Sequence, residues 1–332
     1  MRRDGPQAIP TSHTTCHVIG GKAMSIRDSV TASKGSRWLK QVKQSRILYL
    51  LLVPTFLMLI AFNYWPAITA LYRSLYAWDG AFYQQFIGLG NFQEMFSDPI
   101  MITSFRNMAL LTMGWVVIRV VFPLLGAELV FNLRSAWAQY FYRVIFVIPM
   151  VIPQIVTLLL WRFMYGMYGP INEFLRVAGL GHLARGWLGD FDFALPAILF
   201  VGFPWIDAFN FLIFLAGLIA IPSSVLETAL LEGAVGLRRI VMVDIPLILG
   251  QIKLVVVLTL INSIREYQMI LVMTNGGPGW ATMVPGLAMY QNAFLYGRMG
   301  YGSAIGTTLF VILLGLTYLN MRYVQSEIEL KA

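Results

Sequence analysis

Five ionisable side chains interrupt long apolar runs in this chain of 332 residues. Such groups are costly at bilayer depth, at roughly 2.5–3.5 kcal/mol each on insertion scales, and normally face a protein interior or a water-filled cavity. Their positions therefore mark candidate polar sites in a protein that is otherwise strongly apolar. The five are Arg119, Glu128, Asp207, Arg265 and Glu266.

The first candidate site surrounds Asp207, which is predicted near the middle of a helix. The amide of Asn210 follows three residues later, Phe203 and Phe214 fall on the same side, and Trp205 adds a ring for stacking. An acid, an amide and aromatic rings on one helix face suit the hydroxyls and apolar ring faces of a sugar. The alternative is a hydrogen-bond network that holds neighbouring helices together.

A second polar patch is predicted on a later helix, where Asn262 lies three and four residues before Arg265 and Glu266. Side chains at this spacing are neighbours on a helix surface, and Tyr267 offers a further ring for stacking. An interhelix salt bridge is an equally open interpretation of this patch. For Arg119 the structural interpretation is favoured.

The elements that must position these residues are membrane helices. The chain is 58% hydrophobic and 12% charged, whereas about 25% of residues are charged in soluble domains. A spanning helix needs roughly 20 mainly apolar residues. Six segments satisfy this requirement, at about 47–70, 108–131, 144–165, 194–220, 248–273 and 303–323.

The orientation follows from the basic residues of the leader, 1–45. Nine Lys and Arg residues precede or adjoin the first span, against Asp4 and Asp28, so the N-terminus is predicted to be cytoplasmic. Six crossings return the C-terminal tail, 326–332, to the same side. The leader is predicted to be flexible, and the domain of six spans is predicted over 46–325.

A polar segment, residues 221–246, separates the fourth and fifth spans and reads IPSSVLETALLEGAVGLRRIVMVDIP. Ser224 and Glu227 have the spacing of a capping box, which predicts a helix from about Val225. Gly233 can end that helix with a positive φ. A second short helix is predicted from Leu237 to Val243, finishing before Pro246 because proline disfavours helical conformation in the residue before it.

The polar segment resembles the EAA loop of ATP-binding-cassette importer permeases. The matching positions are Glu227, Thr228, Ala229, Gly233, Val243, Ile245 and Pro246. Thr228 stands where Ala is usual, and Glu232 lengthens the acid of an Asp-Gly-Ala pattern. The resemblance implies that Glu227 contacts an ATPase. For Arg238 and Arg239, contact with the ATPase and a role in membrane topology are both open.

Four more motifs extend the resemblance over roughly 45–325. They resemble patterns of the maltose-transporter-like carbohydrate permeases, in a form with six spans and without a large outer domain. The motifs are Gly88-Leu89-Gly90-Asn91-Phe92, RVIFVIPMVIP at 143–153, Gly169-Pro170-Ile171-Asn172 and Thr274-Asn275-Gly276-Gly277-Pro278. Within the last of them, Thr274, Gly276, Gly277 and Pro278 are read either as a tight turn or as a contact for an outer binding protein.

This resemblance implies an all-α integral-membrane fold, a six-transmembrane-helix importer bundle with a cytoplasmic coupling loop. It further implies import of a sugar or sugar-like polyol by alternating access across a bacterial inner membrane. The implied partners are a second permease subunit, two ATPase subunits and an extracytoplasmic solute-binding protein. The chain itself is expected to be no enzyme and to bind no cofactor, since ATP and Mg belong to the ATPase subunits.

The remaining residues exclude several other classes. Cys16 is the single cysteine, so no disulfide framework forms within one chain. No Gly-rich phosphate loop is present, and the net charge of +8 reports topology more than nucleic-acid binding. Two alternatives stay open: the same architecture importing a phosphorylated polyol or a polyamine, and a self-contained secondary carrier or membrane enzyme.

Overall fold

A computed structural model describes residues 46–323 of the chain. The predicted leader 1–45 and tail 326–332, with Cys16, lie outside these residues. The chain divides into two compact units, 1–64 and 65–332. The described part of the first unit is one helix, α1 (Arg46–Leu59), followed by a π-helical turn (Ile60–Tyr64). Its apolar side chains are mostly exposed, as expected for a helix that faces lipid or a partner subunit.

The second unit begins with α2 (Trp65–Arg73) and a small antiparallel hairpin. Strands β1 (Tyr76–Trp78) and β2 (Gln84–Phe86) pair with Tyr76 opposite Phe86 and Trp78 opposite Gln84. Every other regular element of the described residues is helical. The next helices are α3 (Gly90–Ser97), α4 (Pro99–Phe131), α5 (Ala136–Val147), a 3₁₀ turn (Ile148–Val151), α6 (Gln154–Met164) and α7 (Pro170–Val177).

The second half of this unit is built from shorter helices. They are a 3₁₀ turn (Gly181–Leu183), α8 (Ala194–Phe200), α9 (Ala208–Ile219), α10 (Ser223–Leu231), α11 (Leu237–Arg239), a π-helical turn (Ile240–Asp244), α12 (Ile245–Leu247), α13 (Leu249–Ile264), α14 (Gln268–Met273), α15 (Pro285–Tyr290), a second π-helical turn (Gln291–Leu295) and α16 (Met299–Tyr323).

Three helical stretches in the described residues are long and apolar enough to cross a membrane: Leu50–Arg73, Pro99–Phe131 and Met299–Asn320. Three bent pairs raise the number to six if each pair is one span. Ala136–Val151 meets Gln154–Met164 at 92°, Ala208–Ile219 meets Ser223–Leu231 at 73°, and Leu237–Leu247 meets Leu249–Ile264 at 71°. The helical membrane class predicted from the sequence is confirmed.

The third, fourth and fifth predicted spans, 144–165, 194–220 and 248–273, are not continuous helices. The third is interrupted before α6, at Ile152 and Pro153. The fourth is interrupted between α8 and α9, where Pro204 lacks a backbone N–H and Trp205 has a φ of 60°. The fifth is interrupted between α13 and α14. The fourth-span break ends at Asp207 and the fifth-span break contains Arg265 and Glu266, which were predicted to lie on continuous helices.

The long helix α4 contributes buried side chains to two apolar cores of the second unit. One half of α4 packs Met101, Leu111 and Trp115 into a core shared with α14, α15 and α16. The other half packs Leu124 and Ala127 into a core dominated by α9. The buried α9 residues of that core are Phe211, Phe214, Leu215 and Leu218. Helix α4 therefore connects the two ends of the unit.

Candidate functional site

A cavity of about 200 Å³ opens where the helix α8–α9 is broken. Four elements contribute to its wall: α4, α6, the 201–207 connection and the start of α14. The polar or aromatic lining residues are Trp115, Arg119, Gln154, Thr157, Trp205 and Asp207. The cavity therefore unites Asp207 and Trp205, predicted in one site, with Arg119, for which the structural interpretation was favoured.

The predicted position of Asp207 in mid-helix is wrong, because Asp207 is the N-cap of α9. Its φ and ψ are −64° and 120°, and its Oδ1 accepts a hydrogen bond from the backbone N–H of Asn210 at 2.9 Å. A cap oxygen satisfies a helix N–H that has no partner within the helix. Asn210 itself is 6% exposed and does not line the cavity in the described structure.

Trp205 lines this cavity and has a buried hydrogen-bond donor without a partner among the described residues. Its indole ring is fixed by the rings of Phe122, Phe200 and Phe203, with centroid distances of 4.7, 5.1 and 5.0 Å. The indole Nε1 is buried, and no residue of the described chain accepts its proton. Buried donors are normally paired, so this N–H is an exception among the described residues. Phe214, predicted on the same face, is instead fully buried in the α9 core.

Arg119 supplies the positive charge of the cavity. Its guanidinium carbon lies 5.9 Å from the centroid of the Trp115 ring. Within residues 46–323 no carboxylate forms an ion pair with Arg119 at 4 Å or less, although Asp207 lines the same cavity. The cavity thus offers one cation, one anion and the polar side chains of Gln154 and Thr157 to a ligand.

The second predicted patch lies at the break between α13 and α14 and is not part of this cavity's wall. Glu266 Oε1 accepts the backbone N–H of Met269 at 2.8 Å, so the acid caps the start of α14. The Tyr267 ring stacks on that of Tyr290 at 5.5 Å. Asn262 and Arg265 are exposed. The break separates Glu266 from the helical spacing on which the predicted patch depended.

The loop 274–278 forms a compact turn. Thr274 Oγ1 and Thr282 Oγ1 lie 2.7 Å apart, and Thr282 Oγ1 also donates to the carbonyl oxygen of Gly277 at 2.7 Å. Gly276 has a φ of 89°, and Pro278 follows a cis peptide bond. From α4, the Asn107 side chain donates to the carbonyl oxygens of residues 281 and 283 and holds the loop in place.

In the polar segment 221–246, α10 begins at Ser223, two residues before the predicted start. The predicted capping box is wrong: Pro222 occupies the N-cap position, no side chain caps the helix, and Ser224 lies inside it. The new helix starts immediately after Pro222, at Ser223. Gly233 has a φ of 75°, as predicted for the end of this helix.

The second helix of the polar segment also differs from the prediction. It was expected to finish before Pro246, but helical structure continues through Pro246 to Leu247. A proline ring normally clashes with the carbonyl group four residues earlier. Here the turn before it, Ile240–Asp244, is the wider π-helix, which changes that spacing.

Two grooves lie on the polar segment and divide the residues predicted to contact an ATPase. A groove of about 450 Å³ is lined by Thr228, Ala229, Glu232 and Arg238 among others. A second groove, of about 310 Å³, is lined by Glu227 and Arg239 together with Leu226, Leu230 and Val235. Leu231 and Leu237 are 89% and 79% exposed, so the segment presents apolar surface between its charges.

Two asparagines of the sequence motifs have a structural function that the sequence analysis missed. Asn91 is buried, and its Nδ2 donates to the carbonyl oxygens of Ser74 and Tyr76 at 2.8 and 2.9 Å. Asn172 is fully buried and likewise binds backbone groups of the loops around it. An Asn carries both donors and an acceptor, which suits it to fastening irregular chain. The described residues contain no cluster of metal-binding side chains.

The family comparison gives one match, over residues 119–326, to the family described as "Binding-protein-dependent transport system inner membrane component". A probable ABC transporter permease protein of Bacillus subtilis, YurN, is 32% identical over 292 residues, which are 87% of this chain and 99% of that protein. The sulfoquinovosyl glycerol transport system permease protein SmoG of Agrobacterium fabrum is 28% identical, over 90% of this chain and 97% of its own.

A similar fold is found in the crystal structure of a bacterial ABC transporter involved in the import of the acidic polysaccharide alginate. The match has a TM-score of 0.75 at 22% identity and covers 87% of this chain and all of the other. A structure of bacterial alginate ABC transporter in complex with alginate pentasaccharide-bound periplasmic protein matches with a TM-score of 0.76. The all-α fold of an importer permease, predicted from the resemblance, is confirmed.

Proposed function

The chain belongs to the family of binding-protein-dependent transport system inner membrane components, and from this membership we propose that it is the permease subunit of an ATP-driven importer for a sugar or a sugar-like polyol. Like its relatives, which are permease proteins, it is a transport subunit and not an enzyme. The identity of the solute rests on the cavity between α4, α6 and the 201–207 connection.

The mixed lining of this cavity is the observation that carries the sugar assignment. The lining combines the carboxylate of Asp207 and the polar groups of Gln154 and Thr157 with the rings of Trp115 and Trp205, while aliphatic side chains form most of the remaining wall. A sugar presents hydroxyls that donate and accept hydrogen bonds, and its C–H faces pack on aromatic rings. Relatives named for transport of sulfoquinovosyl glycerol and diacetylchitobiose support the same solute class.

The polar segment is proposed as the docking surface for an ATPase subunit on the cytoplasmic side. Its exposed leucines and charged groove residues match what a partner surface requires, namely apolar anchors within a polar rim. Glu227 is exposed at the groove, where its carboxylate can accept hydrogen bonds from the partner. We propose that both chain termini, with the basic leader, lie on this side, because of the Lys and Arg residues before the first span.

The transporter is proposed to contain a second permease subunit, two ATPase subunits that bind ATP and Mg, and an extracytoplasmic solute-binding protein. Closure of the ATPase subunits would move the polar segment and expose the cavity alternately to the two sides. The family description names the binding-protein dependence, and the alginate structure was solved with such a protein. We propose that the loop 274–278 contacts the binding protein. The patch at Asn262, Arg265 and Tyr267 is proposed to contact the passing solute.

A phosphorylated polyol is the second candidate solute, and one observation favours it. Arg119 lines the cavity without an ion-pair partner among the described residues, and a guanidinium binds phosphate oxygens well. A relative from Agrobacterium fabrum, 30% identical, is an sn-glycerol-3-phosphate transport system permease protein. Asp207 in the same cavity would repel a phosphate, which is why the neutral sugar is preferred.

The test begins with the proteins that co-purify with this chain from its native membrane. The binding protein found among them is screened against neutral sugars, polyols and their phosphates, and uptake of each bound compound is measured in proteoliposomes. ATP-dependent uptake of a neutral sugar is expected, and Arg119→Gln is expected to preserve it. Uptake restricted to a phosphate and abolished by Arg119→Gln would support the second candidate. ATP-independent uptake would reject the proposed class.

A further inference from the structure

Arg239 and its neighbours form a polar network that joins the polar segment to the end of α4. The Arg239 Nε donates to Asp244 Oδ2 at 3.0 Å, and its Nη2 donates to Asn132 Oδ1 at 2.5 Å. Asn132 in turn donates from Nδ2 to the backbone oxygen of Glu128 at 2.8 Å and to its Oε2 at 3.2 Å. Four side chains thus connect parts of the chain that are 107 residues apart.

The charges of this network are deeply buried. Glu128 is 3% exposed and Asp244 is fully buried, while the Arg239 side chain is 22% exposed. One further oxygen on each acid, Glu128 Oε1 and Asp244 Oδ1, has no hydrogen-bond partner in the described residues. Buried carboxylates are tolerated when they are paired, and removing the partner leaves an uncompensated charge. Asp244 therefore depends on the guanidinium of Arg239, and Glu128 depends on the amide of Asn132, which the same guanidinium contacts.

The network also connects the two candidate sites of this chain. On one side, Arg239 lines the groove of about 310 Å³ that contains Glu227. On the other, Glu128 belongs to α4, the same continuous helix that places Arg119 at the cavity. Nine residues separate Arg119 from Glu128, which is about 13.5 Å along a helix.

We propose that Arg239 is a positioning residue that makes the docking groove and α4 move as one body, so that displacement of the polar segment reaches the solute cavity through α4. This inference rests on the proposed function for its consequence in transport. The connection itself is a property of this chain, however, and can be measured without a solute. Arg239 then has a different function from Arg238, which lines the other groove.

The geometry of the connection is tested by distance measurement between spin labels. Labels are attached at Arg134→Cys and Val241→Cys, which are exposed positions on either side of the network and line neither groove, in the complete transporter with Cys16→Ser. One narrow distance distribution is expected for the parent. Arg239→Gln and Asn132→Ala should both broaden it. Asn132→Ala breaks the bridge and leaves the ion pair of Arg239 with Asp244 in place, so it remains informative if Arg239→Gln does not assemble.

Transport supplies the second measurement, the number of solute molecules imported per ATP hydrolysed. Arg239→Gln and Asn132→Ala are expected to lower this ratio severalfold while ATP hydrolysis continues. Arg239→Lys keeps the charge near Asp244 and should retain more of the ratio than Arg239→Gln. The control is Arg106→Gln, which removes an exposed arginine from the other end of α4.

The outcomes distinguish this proposal from the proposed function. If the parent transports no sugar but the label distance broadens in Asn132→Ala, the solute assignment fails and the connection stands. If Asn132→Ala and every assembled Arg239 variant keep the narrow distribution and the parental ratio, Arg239 does not couple the groove to α4.

Discussion

Gly300 and Tyr76 are packed so closely that no side chain fits between them. A Cβ added to Gly300 would overlap the carbonyl oxygen of Tyr76 and lie 2.9 Å from the backbone nitrogen of Trp78. Helix α16 therefore rests directly on the backbone of strand β1. This contact fixes the hairpin against the last membrane helix, and glycine is the residue that permits it.

Replacing this glycine should destabilise the permease. Gly300→Ala forces backbone apart, and overpacking of this kind costs roughly 1–3 kcal/mol or more. Gly315→Ala is the matched control on the same helix, since nothing lies within 4 Å of its added Cβ. The thermal unfolding midpoint of the purified protein should fall for Gly300→Ala and stay level or rise for Gly315→Ala. Equal midpoints in the two variants would contradict the close packing.

The second prediction concerns the stability of the loops around Asn172. Its Nδ2 donates to the carbonyl oxygens of Gly166, Met167 and Arg185, and its Oδ1 accepts hydrogen bonds from Arg185 N and Trp187 Nε1 at 3.2 and 2.9 Å. Asn172→Asp keeps the shape but offers no donor to the three carbonyls. Each buried polar group left unpaired costs about 1–3 kcal/mol.

The measurement compares two variants that remove different numbers of bonds. Trp187→Phe removes one donor to Asn172 Oδ1, whereas Asn172→Asp affects every bond of the amide nitrogen. Limited proteolysis of the loop around residues 166–187 should be fastest for Asn172→Asp and intermediate for Trp187→Phe. If Asn172→Asp resists protease as well as the parent does, Asn172 does not hold this loop.

These motif asparagines show how far the sequence could be interpreted. The spacing around Asn91 and Asn172 identified the family, because it depends on residue types alone. It could not reveal what either side chain does, since their partners are backbone groups up to 17 residues away in irregular chain. The same limit applies to Arg239: its bond to Asn132 spans 107 residues, and nothing local to the polar segment indicates it.

The helix breaks were missed for a related reason. Hydropathy predicts that 194–220 and 248–273 are apolar, and they are. Whether such a run is one helix depends on what its backbone groups bind when the helix stops. The side chains of Asp207 and Glu266 accept backbone N–H groups at the starts of the helices that follow the breaks. The presence of an acid in an apolar run does not by itself predict that a helix stops there.

The third prediction concerns the proposed docking groove that Glu227 lines. Gly233→Ala strains a position with a φ of 75°, at about 1–2 kcal/mol, and Glu227→Ala removes an exposed carboxylate from the groove. Both variants should insert into the membrane but take up less solute, and Glu227→Ala should retain less ATPase on purification. Gly250→Ala is the control, since it has open space and an ordinary φ. Parental uptake and ATPase retention in both variants would reject the docking assignment.

The fourth prediction concerns the six-span topology, which determines the side of the membrane on which each loop lies. Ser223→Cys, in the polar segment, and Phe82→Cys, at the fully exposed tip of the hairpin, should lie on opposite sides of the membrane. With Cys16→Ser as the background, an impermeant thiol reagent should label the Phe82 position in right-side-out vesicles and the Ser223 position in inside-out vesicles. Labelling of both positions from one side would overturn the six-span topology.

Asp207 carries the last prediction, which separates its two functions in the structure. As the N-cap of α9 it needs an oxygen that accepts the N–H of Asn210, and as a cavity residue it presents a negative charge to the solute. Asn caps helices about as well as Asp does, so Asp207→Asn keeps the cap and removes the charge. Assembly and thermal stability should therefore be preserved, while the solute concentration for half-maximal uptake changes. Asp98→Asn makes the same change at the N-cap of α4, away from the cavity, and should leave uptake unaltered. If Asp207→Asn assembles and transports every tested sugar as the parent does, the carboxylate serves α9 alone and the cavity is not the solute path.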